Sequence, residues 1–166
     1  MPPPAAGKPR IRPYRDADFC AVCDLEIAGI HEPYRSAVFV RQMAALAPET
    51  FLVAVSGSTI VGFTVASVVQ DNPTSAWILR MMVRAGFRHQ GIGTALLRTM
   101  VNTLEKRSIG TIRLTVAPSN APALQLYAGE GFVQEAIRPA YFGTGEDRFV
   151  MRRGTPAGRP KAHRNA

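Results

Sequence analysis

Apolar residues recur along this chain first at helical spacing, then in alternation, then in a mixture of both. Ile11 and Tyr14, set among basic residues, make a short first strand at most. Asp16 and Asp18 then place acids where a helix begins, and Phe19, Val22, Cys23, Ile27 and Ile30 follow three or four positions apart. The stretch from His31 to Tyr34 interrupts that helix, and a second short one carries Phe39, Met43 and Leu46 as its apolar stripe. Residues 51–55 form a β-rich run, Ser56, Gly57 and Ser58 a turn, and residues 60–69 a second strand, which together predict a hairpin. Residues 77–83 read as a third strand. Gly91, Ile92 and Gly93 open a helix whose apolar positions are Ile92, Leu96, Leu97, Met100, Val101 and Leu104. Ile112, Leu114 and Val116 alternate with Arg113 and Thr115, the pattern of a half-buried strand. Residues 120–127 predict a short helix that tolerates Pro122 in its first turn. Strands at 132–137 and 148–151 complete the order β-α-α-β-β-β-α-β-α-β-β, in one domain with no internal repeat.

The 166 residues suffice for a single core, and 46% hydrophobic content excludes a disordered chain. The longest nearly apolar stretch, 60–69, is far short of a membrane span, and the first residues hold no apolar run suited to a signal peptide. A cytoplasmic globular protein is therefore expected. The net charge of +8 raises the question of nucleic acid. Its distribution changes that picture: residues 1–15 and 152–166 together carry +9 and no acid, whereas residues 16–151 hold 11 basic and 12 acidic side chains. The expected organisation is a disordered extension over 1–9, a folded domain over 10–153 and a disordered basic tail over 154–166. The basic ends are either solvated tails or arms that touch RNA, the ribosome or another acidic partner. Cys20 and Cys23 have no second pair to complete a zinc site, and their place inside a helix beside acids reads as small buried apolar residues. No metal is expected.

The most informative stretch runs from Arg88 to Leu97, between a strand and a long helix. Glycines there turn backbone N–H groups outward at the positive end of a helix dipole, which suits a phosphate. A P-loop would require a Lys-Ser/Thr pair that is absent. A dinucleotide fold would require a third glycine where Leu96 stands and an acid near 111–117, where there is none. What remains, Arg88-x-x-Gly91-x-Gly93, resembles the pyrophosphate-binding motif of the GNAT acetyltransferase superfamily. Downstream, Val116, Asn120, Ala123, Leu126, Tyr127, Gly131 and Phe132 resemble its second signature. The two motifs cover 88–132 in the expected order. The resemblance implies an α/β (α+β) GNAT fold, a mixed and mostly antiparallel sheet of about six or seven strands flanked by about four helices. It also implies acetyl-CoA as cosubstrate.

On that resemblance, the backbone of Arg88, His89, Gln90, Gly91, Ile92, Gly93 and Thr94 would hold the coenzyme A pyrophosphate, with Arg88 and Arg84 adding charge. The main chain at Met81, Met82 and Val83 would pair with the pantetheine arm. Asn120 would either reach pantetheine or cap its own helix. Tyr127, with an ordinary pKa of about 10, would either protonate the departing thiolate or serve packing alone.

Three further features resemble the RimI-type ribosomal-protein-alanine N-acetyltransferases, which modify protein N-termini. These are the His31-x-Pro33-Tyr34-Arg35-Ser36 segment, the Thr115-Val116-x-x-Ser119-Asn120 segment, and the run from Glu135 through Tyr141 to Met151. They imply a peptide groove in which Tyr34 and Tyr141 contact the acceptor; ordinary surface or core aromatics are the other reading. One departure matters: Thr115 stands where relatives commonly carry a glutamate base, and Trp77 where many carry an acid. An α-amine, with a pKa of about 7.7–8.0, is roughly a tenth to a sixth neutral at pH 7, whereas a lysine amine is neutral only about 0.04% of the time. That difference, about 3.5 kcal/mol, favours an N-terminal α-amine over lysine. A small-molecule amine, or a CoA-binding protein with little catalysis, are the alternatives. Monomer and homodimer are both compatible with the chain.

Overall fold

In the computed structural model, residues 9–154 are described. Apart from Pro9 and Gly154, the extensions expected at 1–9 and 154–166 lie outside the described residues.

A seven-stranded sheet forms the centre, in the order β1-β2-β3-β4-β5-β7-β6. The strands are β1 (Arg10–Pro13), β2 (Phe51–Ser56), β3 (Thr59–Val69), β4 (Asn72–Val83), β5 (Thr111–Val116), β6 (Val133–Arg138) and β7 (Arg148–Gly154). All neighbours are antiparallel except β4 and β5. Four α-helices accompany the sheet: α1 (Phe19–Ile30), α2 (Pro33–Leu46), α3 (Ile92–Lys106) and α4 (Ala121–Gly129). The mixed, mostly antiparallel α/β architecture expected from the sequence is what forms.

Side-chain alternation divides the core between the two faces. Phe51, Val53, Phe63 and Val65 meet Val22 and Leu25 of α1 and Val40 of α2. Leu52, Ala76, Ile78, Ile112 and Leu114 meet Leu97, Met100 and Leu104 of α3 together with Tyr127 of α4. All six predicted apolar positions of α3 are buried. Helix α1 ends at His31, whose backbone is left-handed (φ 57°).

Three expectations are corrected. Leu46 is 75% exposed, because the buried face of α2 runs through Ser36 and Val40, with Phe39 and Met43 partly buried beside it. Cys20 is exposed, in the first turn of α1, and only Cys23, one turn further in, is buried. Strand β4 starts at Asn72, five residues before the apolar run, because a tight reversal after β3 lets polar residues pair immediately.

Candidate active site

The sheet opens where β4 meets β5. Their parallel pairing consists of Ser75 with Thr111, Ala76 with Ile112 and Trp77 with Arg113. Directly beyond it, β4 carries a bulge: Val65 of β3 faces Arg80 and Ala66 faces Ile78, so Leu79 has no partner. A bulge bends a strand and re-aims its side chains. The remaining part of β4, including Met81, Met82 and Val83, keeps its pairing with β3 through Thr64, Phe63 and Gly62. Its other edge faces a gap where an extended amide chain can form a ladder.

At one mouth of this gap lies the turn into α3. His89 and Gly91 both have positive φ (60° and 77°), and Gly91 is the residue that caps the helix. A side chain on Gly91 would meet nothing within 4 Å, so glycine serves its conformation and leaves open space there. The first helical bond runs from the Ala95 N–H to the Gly91 carbonyl at 2.9 Å, which leaves the N–H groups of Ile92, Gly93 and Thr94 without helical acceptors. Gly93 brings three elements together, since a Cβ there would lie 3.4 Å from Leu126 of α4 and 3.9 Å from Val83. Arg88 is exposed, and its Nε donates to the Val83 carbonyl at 3.1 Å. Gln90 donates to the Gly86 carbonyl at 3.3 Å. Arg84 instead turns to β3, donating to the Ile60 carbonyl at 3.4 Å, so the second basic group of the turn is already engaged. These amides, dipole and guanidinium fit a pyrophosphate.

Helix α4 flanks the other side. Asn120 caps it, its Oδ1 accepting from the Ala123 N–H at 3.2 Å. The capping reading therefore holds, and the side-chain amide nitrogen remains as a donor. Tyr127, two turns on, is 9% exposed and packs against Phe132 with ring centroids 6.0 Å apart. Burial pushes its hydroxyl up to about 12.

Across the bulge, a cavity of about 510 Å³ is lined by Trp77, Ile78, Leu79, Arg80, Thr115, Tyr141 and Phe142. Tyr141 is thus brought together with Thr115 and Trp77. Tyr34 is not: it is 80% exposed at the start of α2 and lines no part of the cavity. No carboxylate lines the cavity, so neither Thr115 nor Trp77 has an acidic substitute there. Sequence reasoning missed Leu79, Arg80 and Phe142. The bulge has no local signature, but Glu26, an acid on the apolar stripe of α1, was a readable sign that some cation must meet it.

The model of the acetyltransferase (GNAT) family matches residues 18–132, spanning both motifs and the whole gap. The chain belongs to the GNAT acetyltransferase family. Over 92 residues, 54% of this chain, it is 37% identical to the [ribosomal protein bS18]-alanine N-acetyltransferase of Escherichia coli K12, and that stretch spans 60% of the relative's length. Among solved structures it is similar to Ard1 from Thermoplasma volcanium (TM-score 0.80, 27% identity, 90% of this chain and 99% of that one). It is also similar to the Escherichia coli ribosomal-protein-S18-alanine N-acetyltransferase (TM-score 0.76, 26% identity, 92% and 98%). Among the described residues of this GNAT protein, no helix is long and apolar enough to cross a membrane, and no three potential metal ligands cluster.

Proposed function

We propose that this GNAT protein is an acetyl-CoA-dependent N-acetyltransferase whose acceptor is the α-amine of a protein or peptide N-terminus. The observation that carries the reading is the gap beyond Trp77 and Arg113, with free helix amides at one mouth and a carboxylate-free aromatic cavity at the other. The bacterial relatives, named as alanine N-acetyltransferases of a ribosomal protein, support it.

The cosubstrate supplies a thioester, an acyl carbon already open to attack by an uncharged amine. The chain's own residues do the rest. Amides of Ile92, Gly93 and Thr94 and the Arg88 guanidinium bind the diphosphate, and the free edge of β4 near Met81 to Val83 aligns the amide-bearing arm. The amine enters from the cavity of Trp77, Thr115 and Tyr141. With no carboxylate at hand, the neutral fraction of an α-amine is the form that reacts, and its proton leaves to water after the C–N bond forms.

Tyr127 completes the step. As the C–S bond breaks, sulfur gains charge in an apolar surround that raises the basicity of thiolate and phenol alike. A hydroxyl near 12 is protonated at every working pH, so it is always a donor to that sulfur. Tyr127→Phe is expected to lower kcat by about a hundredfold, in the range of general acid catalysis, with acetyl-CoA affinity within about twofold of wild type. Steady-state kinetics with calorimetric acetyl-CoA titration checks this, and an unchanged kcat removes the acid role. A panel of N-terminal peptides, lysine peptides and small amines tests the acceptor: turnover confined to small amines overturns the N-terminal reading.

A further inference from the structure

We propose that Arg80 makes this enzyme selective for acceptors that carry a carboxylate close to the reacting amine. The inference rests on reading the cavity beyond the bulge as the acceptor site. Four observations lead to it.

The bulge at Leu79 resets the alternation of β4. Ala76 and Ile78 belong to the α3 side of the core, whereas Met82 packs in the cluster of α1 and α2. Arg80 thereby turns toward α1 and α2, and its guanidinium sits 5.1 Å above the Phe39 ring. It is the one charged residue among the seven that line the cavity.

Its position is held from behind. Glu26, wholly buried on α1, lies 3.0 Å from Arg80 Nη2 and is not part of the cavity wall. A guanidinium offers five N–H donors, and the Glu26 contact is an ion pair by proximity in which neither carboxylate oxygen accepts a hydrogen bond. No other side-chain acceptor for Arg80 exists among the described residues, and its Nε is buried without a partner. The side chain is 36% exposed and lines the cavity, so part of the guanidinium, though not the buried Nε, is open to a ligand there.

Electrostatics then decides what fits. Trp77, Tyr141 and Phe142 bring aromatic surface to the guanidinium, with Tyr141 and Phe142 on a wall open to solvent; a hydrogen bond to an ionised partner is about twice as strong as a neutral one. A carboxylate can meet the guanidinium in bidentate geometry, whereas a lysine or arginine beside the amine would be repelled. Neutralising Glu26 alone does not account for the pair: an apolar pair of similar volume is commonly as stable or more so. The carboxylate could be an acidic side chain near a peptide N-terminus or the free carboxyl group of a small amine.

The test compares kcat/KM for matched acceptors whose α-amine stands beside an amide in both members: peptides with Glu or Gln at the second or third residue, and, as small amines, the α-amides of glutamic acid and of glutamine. Wild type is expected to favour the acidic member by about tenfold, mostly through KM, as one charge-assisted contact implies. Because Arg80→Met leaves Glu26 without its partner, Arg80→Met combined with Glu26→Gln is assayed beside it. In both variants the ratio is expected to fall to about one; a ratio between two acceptors cancels any general loss of activity. A wild-type ratio near one, or an acidic preference that survives in the double variant, overturns the inference. Peptide turnover without acidic preference removes the inference and leaves the N-terminal reading intact. Turnover of small amines alone, with an Arg80-dependent carboxylate preference, does the reverse.

Discussion

Glu26 shows what a single buried charge does to the rest of the chain. Removal from water is the dominant influence on it and raises its pKa above the ordinary carboxylate range, with Arg80 pulling the other way. The folded protein therefore holds that proton more tightly than the unfolded chain. Stability from this site is full below the unfolded value and is lost as pH rises through the folded one. Asp18 and Glu135 behave in the opposite sense. Asp18 accepts from Arg12 at 2.7 and 2.8 Å and from the Arg15 N–H at 2.8 Å, and Glu135 pairs with Arg113 at 2.6 and 3.1 Å. Both are held below the usual range by those hydrogen bonds, so their contribution is lost as pH falls. The difference in melting temperature between Glu26→Gln and wild type is expected to shift in favour of the variant from about pH 5 to about pH 8. A difference that stays constant over that interval would sink the argument. The acid itself could be read in the sequence on the apolar stripe of α1. Its partner could not, since Arg80 lies on another element and reaches Glu26 only because of the bulge.

At the scale of elements, the helices and strands with a dense repeat were legible and those shaped by long-range register were not. The α3 stripe predicted all six buried positions because one helix face meets one sheet face. Leu46 failed because propensity and spacing continue to the end of α2 while the sheet beneath it does not. The Leu79 bulge is set by how β3 and β4 align, which no window of residues 77–83 contains. The turn into α3 was legible in its glycines, and its function can be tested there. Gly91→Ala places an L side chain at φ 77° in otherwise open space, so the cost is backbone strain of about 1–2 kcal/mol. If the turn relaxes to relieve that strain, the outward amides lose their alignment. The KM for acetyl-CoA is expected to rise by about tenfold, with kcat at saturation changed far less. Initial-rate kinetics with varied donor separates the two, and an unaltered KM would mean the amides are not the diphosphate site.

For the whole molecule, the distribution of charge and the absence of an acid in the acceptor cavity point to one kinetic consequence. The chain's net +8 resides in its two ends, while residues 16–151 are near neutral, and no carboxylate lines the cavity to take the proton of an amine. The acceptor must titrate by itself. The logarithm of kcat/KM is expected to climb with a slope of about one and level off near the amine's own pKa, about 8 for a peptide N-terminus. Peptides whose α-amines differ in pKa should move the break by the same amount. A break common to all peptides would instead reveal a proton acceptor in the enzyme. Candidate donor-site residues were legible here as a motif; of the two aromatics read from the sequence as acceptor contacts, the fold places Tyr141 in the cavity wall and Tyr34 outside it.

The three rungs that join β4 to β5 have a consequence beyond chemistry. Beyond Trp77 the main chain of β4 has no neighbouring strand on this side, so backbone pairing between the two halves of the sheet stops at these rungs and their further coupling rests on the core they share with α3. A donor lying there would act as a removable strand, adding about 2.7 kcal/mol of resistance to unfolding at a hundred times its dissociation constant. Proteolytic lifetime would then follow the supply of the coenzyme, since the arm that fills the seam is the same with or without its acetyl group.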